Sequence, residues 1–230
     1  MELSAVSIPE QRPLSSGQGM FPLVLAPCLK PKSGAAAPSS EGLAAWCSRN
    51  STELRALMLR HGAVLLRDCG LRTADDFALV TRAIGCEGYD YVGGAAPRTE
   101  VVSGVVFTSN ESPPDQPIPF HHELAQSPTP PAYISFFCER EAAAGGATPI
   151  IPSDEVAEFF FREFPDFAKK LQELGVQYMR IMPDVTDPTS AQGRSWSETY
   201  GVSSREEAEE SMRKQGTTWE WLPNGDCKSI

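Results

Sequence analysis

Two of the chain's three histidines stand side by side, His121 and His122, and Glu123 follows them. On a strand, residues i and i+2 share a face, so His121 and Glu123 would offer one imidazole and one carboxylate to a single point. That is two-thirds of the two-histidine, one-carboxylate set that binds non-haem Fe(II). The remaining histidine, His61, lies far upstream, and no imidazole follows His122. A metal site built on this motif therefore lacks a third ligand in the sequence. The plainer alternative is a histidine pair satisfied at the surface or in the core. A zinc hydrolase using His121, His122 and Glu123 together is disfavoured, because neighbours on a strand face opposite sides.

The surroundings favour the metal-binding reading. The segment Asn110 to Pro119 holds Pro113, Pro114, Pro117 and Pro119, which stiffen the approach and leave little entropy to lose when ligands are fixed. Downstream, Tyr133 to Cys138 reads as an apolar strand whose Tyr133, Phe136 and Phe137 suit the wall of a dry pocket. Thr148 to Ile151 reads as another strand, after the Gly145-Gly146 pair.

Residues 1–20 read as a loose, polar lead-in, and Phe21 to Ala26 as a first strand. Lys30 to Glu41, rich in Pro, Ser, Gly and Ala, reads as a linker or surface loop. Ser51 can cap a helix whose Leu54, Leu57 and Met58 share a face, with Gly62 as its stop. A short buried strand is expected over Ala63 to Leu66. Thr73 to Asp76 opens a helix with Phe77, Val80 and Ile84 at helical spacing, closed by Gly85. Tyr89 to Thr99 reads as a loop and Val101 to Thr108 as a strand.

Ser153 starts one helix, and Pro165 starts another whose Phe167, Leu171 and Leu174 should face inward before Gly175. Val176 to Met182 then reads as a strand, and Asp184 to Tyr200 mostly as loop. Ser203 to Glu206 reads as a capping box for a solvated helix. Thr217 to Leu222 alternates as a strand, and Asn224-Gly225 signals a hairpin whose second arm starts at Cys227. With Ile230 closing the chain, that arm is short, and unpaired backbone and a half-covered Trp219/Trp221 face are expected. The two tryptophans read as core, and Arg180 as a structural ion pair.

At 230 residues, 41% hydrophobic and 22% charged, the chain has the composition of a globular protein able to bury a core. A formal charge of −10 argues against nucleic acid or an anionic membrane as partner. No apolar run reaches the roughly 20 residues that span a bilayer, and neither a secretory nor a transit signal is evident. The six cysteines are scattered without a CxxC pair, as reduced thiols in the cytoplasm would be. Oligomeric state is not legible.

The run from Phe107 through Asn110 to Pro113, then Ile118-Pro-Phe-His-His-Glu123, then Gly145-Gly-Ala-Thr-Pro149, resembles the plant and algal clavaminate synthase-like proteins. These belong to the taurine dioxygenase family of Fe(II)/2-oxoglutarate-dependent oxygenases. The similarity runs from about Phe21 to the end and includes Gly93 to Arg98 and Asp187 to Ser190. The resemblance implies an α+β or mainly β chain forming part of a double-stranded β-helix, or jelly roll, with flanking helices. It implies His121 and Glu123 as iron ligands, Thr148 as a contact to 2-oxoglutarate, and Arg98 and Asn110 on the substrate side. His122 would point away from the metal. The implied partners are a small-molecule substrate and O2. The family's distal histidine and the arginine that grips 2-oxoglutarate have no counterpart here. Residues 21–230 are therefore expected to be the N-terminal portion of the domain, the other half of the roll being absent. The alternative is a form that is inactive or only binds.

Overall fold

Alternating apolar sequence and well-formed helix caps lay down the first of two units in the computed structural model. It describes residues 1–28, 37–89, 92–94, 96, 98–109, 111, 117–190 and 192–230. The first unit comprises Met1–Gly88, Val101–Val106 and Phe137–Gly146. Its strands are β1 (Leu3–Ala5), β2 (Arg12–Pro13), β3 (Met20–Phe21) and β4 (Leu23–Pro27). Next come α1 (Ser40–Arg49), α2 (Ser51–His61), β5 (Val64–Leu66) and α3 (Ala74–Ala83). β4 is the central strand of a three-stranded sheet, antiparallel to β1 and parallel to β5, with Leu23 opposite Val64 and Leu25 opposite Leu66. Parallel neighbours need a crossover, which α1 and α2 supply. β2 and β3 form a separate pair, so the expected lead-in contributes strands to two sheets.

The core of this unit gathers Leu43, Ala44 and Cys47 from α1, Leu54 from α2, Val80 from α3 and Cys69. Helix α1 was not expected. Its start lies in the segment read as a linker, yet Ser39 caps it by accepting the Gly42 N–H at 3.2 Å. For α2 the capping position is Asn50, not Ser51. Gly62 does stop it, in a left-handed conformation (φ 72°) that suits glycine. Thr73 and Asp76 form the expected capping box: Thr73 Oγ1 accepts from the Asp76 N–H, and Asp76 Oδ2 accepts from the Thr73 N–H. Phe137, expected on a strand, instead stacks on Phe77 of α3 with centroids 5.5 Å apart.

The expected strand over Val101 to Thr108 is a tight hairpin of β6 (Glu100–Val102) and β7 (Val106–Phe107).

The second unit comprises Tyr89–Glu100, Phe107–Phe136 and Ala147–Ile230. It carries α4 (Ser153–Glu163), α5 (Pro165–Leu174), β8 (Arg180–Met182), α6 (Trp196–Tyr200), α7 (Arg205–Lys214), β9 (Trp219–Trp221) and β10 (Cys227–Ser229). β10 lies between β8 and β9, antiparallel to both, so Cys227 faces Met182 on one side and Trp221 on the other. The short arm after Asn224-Gly225 is thus paired along both edges, not left open. Met182, Trp196, Tyr200, Ala208, Met212 and Cys227 form the core, with Trp219 and Trp221 packed on it. The indoles of Trp196 and Trp221 meet edge to face at 5.2 Å. Burial pushes the Tyr200 phenol up to about 12.

Several expectations fail in this unit. Tyr133 to Phe136 and Thr148 to Ile151 form no strand and run irregular and exposed, and the expected strand does not continue into Phe137 and Cys138 of the first unit. The strand expected from Val176 contracts to β8. Asp184 to Tyr200 contains the short α6, and the capping box belongs to Ser204 and Glu207. Phe167, Leu171 and Leu174 of α5 are exposed, not inward-facing, as are Phe159, Phe161 and Phe164 around α4. The mixed helix and strand content agrees with an α+β class. Helices outweigh strands, however, so a mainly β description does not fit the described residues. Among them no sheet exceeds three strands and no barrel closes. Among the described residues, no helix is long and apolar enough to cross a membrane.

Replacing the fully buried Leu43 (Leu43→Ala) should cost about 2–5 kcal/mol in urea unfolding, whereas Leu59→Ala, on an exposed face, should change little. The Asp76 carboxyl is lowered from 3.8 to about 2, first by the Ser40 hydroxyl, then by the Arg72 and Thr73 N–H groups. A depressed carboxyl stabilises the fold above its unfolded pKa and loses that contribution as pH falls through the folded value. Asp76→Asn should therefore lower stability at pH 7, with the gap to wild type closing between pH 3.8 and about 2 in acid titration.

Candidate functional site

His121 and Glu123 do not lie on a strand. They enter a turn that spans Glu123 to Gln126, so hydrogen bonds, not pleating, aim their side chains. The Nδ1 of His121 lies 2.8 Å from the Pro119 carbonyl oxygen. A carbonyl can only accept, so Nδ1 carries the proton and, in the neutral ring, Nε2 keeps its lone pair. Metal-binding imidazoles use this arrangement, with the far nitrogen donating to a backbone carbonyl. The His122 ring instead meets the Ser153 hydroxyl at the start of α4, Nε2 to Oγ 2.7 Å.

Glu123 is held by Arg98. The guanidinium Nη2 donates to Oε1 at 3.2 Å and to Oε2 at 3.1 Å, and the two side chains are 17% and 16% exposed. Arg98 Nη1 donates to the carbonyls of Thr108 (3.0 Å) and Ser109 (2.6 Å). Beside it the Thr99 N–H reaches Thr108 Oγ1 at 2.9 Å, and the Thr108 N–H returns to the Thr99 carbonyl at 2.9 Å. Glu111 closes this corner. Hydrogen bonds from the Thr108 hydroxyl, and then from Thr99, hold its carboxyl below the usual carboxylate range.

The loop bearing Arg98 is fastened at its other end. The Gly93 N–H donates to the Thr199 carbonyl at 2.9 Å, and its own carbonyl accepts from Gln126 Nε2 at 3.3 Å. Arg180 donates to the Arg194 carbonyl at 3.0 Å, to Thr199 Oγ1 at 3.4 Å and to the Gly94 carbonyl at 3.5 Å. Two carbonyls and a hydroxyl thus hold the Arg180 guanidinium beside this loop. Leu124, directly after Glu123, has a φ of 51° yet is 4% exposed. A bulky residue there costs of order 1–3 kcal/mol, and burying its side chain, at about 1.5–3 kcal/mol, offsets that.

Of the residues singled out in the sequence, Arg98 and Glu123 meet by hydrogen bonds between two segments of the second unit, and His121 lies two residues before Glu123. Thr148 lies in an exposed irregular stretch and makes no hydrogen bond among the described residues. Asn110 lies outside the described residues. The Arg98–Glu123 pair, the Gly93 anchor and the Leu124 turn were not foreseen. The Gly93-Gly94 pair, read only as a loop signal, was the hint to the second of these. One imidazole with a free Nε2 and one carboxylate suit Fe(II), but as an incomplete set. No group of three His, Cys, Asp or Glu residues able to hold a metal occurs among the described residues.

Comparison with known proteins bears directly on this donor set. The family described as taurine catabolism dioxygenase TauD, TfdA family matches residues 29–223. A clavaminate synthase-like protein of Arabidopsis thaliana is 44% identical over 177 residues, which cover 77% of this chain and 53% of that protein. The dapdiamide synthesis protein DdaC of Enterobacter agglomerans is 24% identical over 173 residues, 75% of this chain and 50% of that protein. The chain spans about half the length of the curated relatives it matches.

Gly93 has a φ of 85°, and a Cβ built there would meet nothing nearer than Gln215 Oε1 at 3.7 Å. Gly93→Ala should therefore cost the conformational penalty alone, about 1–2 kcal/mol in chemical unfolding. Gly93→Asn should cost less, since asparagine tolerates that region.

Proposed function

We propose that this chain, which belongs to the taurine catabolism dioxygenase TauD, TfdA family, is part of an Fe(II)- and 2-oxoglutarate-dependent oxygenase and contributes an imidazole and a carboxylate to its metal site. The observation that carries the reading is the pairing of His121, its Nε2 left for a metal, with the positioned Glu123, both inside the matched residues. When bound, Fe(II) and 2-oxoglutarate would supply the oxidation: one oxygen atom of O2 goes to the substrate, and the other to succinate as CO2 leaves.

In this reading His121 binds through Nε2 and Glu123 through one carboxylate oxygen. Thr148 contacts 2-oxoglutarate, and Asn110 and Arg98 border the side where a small organic substrate enters. The third protein ligand and the arginine for the 2-oxoglutarate carboxylate fall to sequence that the longer relatives have and this chain does not span. The fold reading is correspondingly a partial jelly roll, in which Tyr133 to Cys138 and Thr148 to Ile151 are strand sequences. Six cysteines free of disulfides support a reducing compartment such as the cytoplasm.

A second reading has its own support. With two ligands and no third among the described residues, the chain would act as a non-catalytic form. Succinate release from 2-oxoglutarate with Fe(II) and O2, measured on the longest product of the gene, separates the two. The oxygenase reading expects turnover that His121→Ala and Glu123→Ala abolish and that His122→Ala leaves within about threefold, because its ring is bonded to Ser153. Absence of turnover, or equal loss in all three variants, rejects it.

A further inference from the structure

We infer that Arg98 is a positioning residue for the Glu123 carboxylate and not a contact for substrate. The inference rests on the reading of Glu123 as a metal ligand and deepens it by assigning what aims that ligand. Arginine has five N–H donors, four of them on its two terminal nitrogens. Here Nη1 serves the carbonyls of Thr108 and Ser109, and Nη2 turns an N–H to the Glu123 carboxylate, shared between its two oxygens. A substrate carboxylate gripped in fork geometry needs two parallel N–H groups. Arg98 could offer a terminal pair only by releasing Glu123 or the backbone.

The backbone bonds make this guanidinium a fixed point. Arg98 adjoins Thr99, which is bonded to Thr108 in both directions, and Arg98 returns to the Thr108 and Ser109 carbonyls. Peptide links and hydrogen bonds thus close a ring around the arginine, and swinging the side chain out would strand two carbonyls. Glu123 is thereby referred to main chain, not to another flexible side chain. A carboxylate has about four lone-pair sites. Two accept from Nη2, so each oxygen keeps a site, and a divalent ion can bind while the clamp stays closed.

Removing the guanidinium has two opposed effects. A cation near the site disappears, which favours metal, and the ligand loses its orientation, which disfavours it. Lysine separates the two, since it keeps the charge and loses the planar fork. The test is titration of the whole chain with Co(II), followed by calorimetry and by the visible absorption of the bound ion. Near-ultraviolet circular dichroism of the Trp196–Trp221 pair reports that each variant is folded.

Loss of a hydrogen-bonding partner behind a metal ligand typically weakens affinity about 10–100-fold. Arg98→Ala and Arg98→Lys should both fall in that range, with an altered Co(II) band. In a Glu123→Gln background, Arg98→Ala should add nothing further, because the residue acts through Glu123. Unchanged or tighter Co(II) binding by folded Arg98→Ala overturns the inference, and so does an equal loss in the Glu123→Gln background. If wild type binds no Co(II), or His121→Ala leaves binding intact, the metal-site reading itself falls and takes this inference with it. The inference alone falls when binding depends on His121 and Glu123 but not on Arg98.

Discussion

A carboxylate that keeps 17% of its side chain in contact with solvent has lost most of its hydration, and in Glu123 the Arg98 guanidinium replaces what water no longer supplies. The pairing carries a geometric demand. The arginine must stand where both of its terminal nitrogens are used, which fixes Arg98 against the carbonyls of Thr108 and Ser109. Earlier in the chain, Gly93 and Gly94 are in turn tied to Thr199 and Arg180. Thr199 is on α6, whose Trp196 and Tyr200 are buried in the core of the second unit. A line of support therefore runs from an apolar core, through backbone hydrogen bonds, to the orientation of a single charged group.

The turn at Glu123 draws on the same support from the other side. Gln126, three residues on, donates to the carbonyl of Gly93, the glycine whose N–H is held by Thr199. Leu124 accepts a left-handed backbone as the chain reverses, and its buried side chain pins the reversal. His121 needs less: one bond to the carbonyl two residues earlier sets its tautomer and leaves Nε2 outward. The candidate ligands are thus fixed by different means, one locally by its own segment and one by the wider unit.

Helices were the legible part of this fold, because their ends are written in local chemistry. The Thr73/Asp76 box, Gly62 and Gly175 each mark a boundary within a few residues. α1 escaped because the Pro-, Ser- and Ala-rich segment before it masks its Ser39 cap. Strands were less legible for a physical reason: a strand is completed by a neighbour whose sequence lies elsewhere. Phe21 to Ala26 found β1 and β5, and Cys227 to Ser229 found β8 and β9. Tyr133 to Cys138 and Thr148 to Ile151 have strand-like residues but no partner among the described residues. Of the site, the residue types at His121 and Glu123 could be read directly. The clamp could not, since Arg98 and Glu123 meet only through the folding of two separate loops.

The buried cysteines show what core packing does to a reactive group. Burial pushes the thiols of Cys47, Cys69 and Cys227 up to about 11, so at neutral pH they stay protonated and inert toward metals, because only the thiolate coordinates. A thiolate would draw in zinc or cuprous ion ahead of iron. The packing that stabilises each core thus also keeps its thiols chemically quiet.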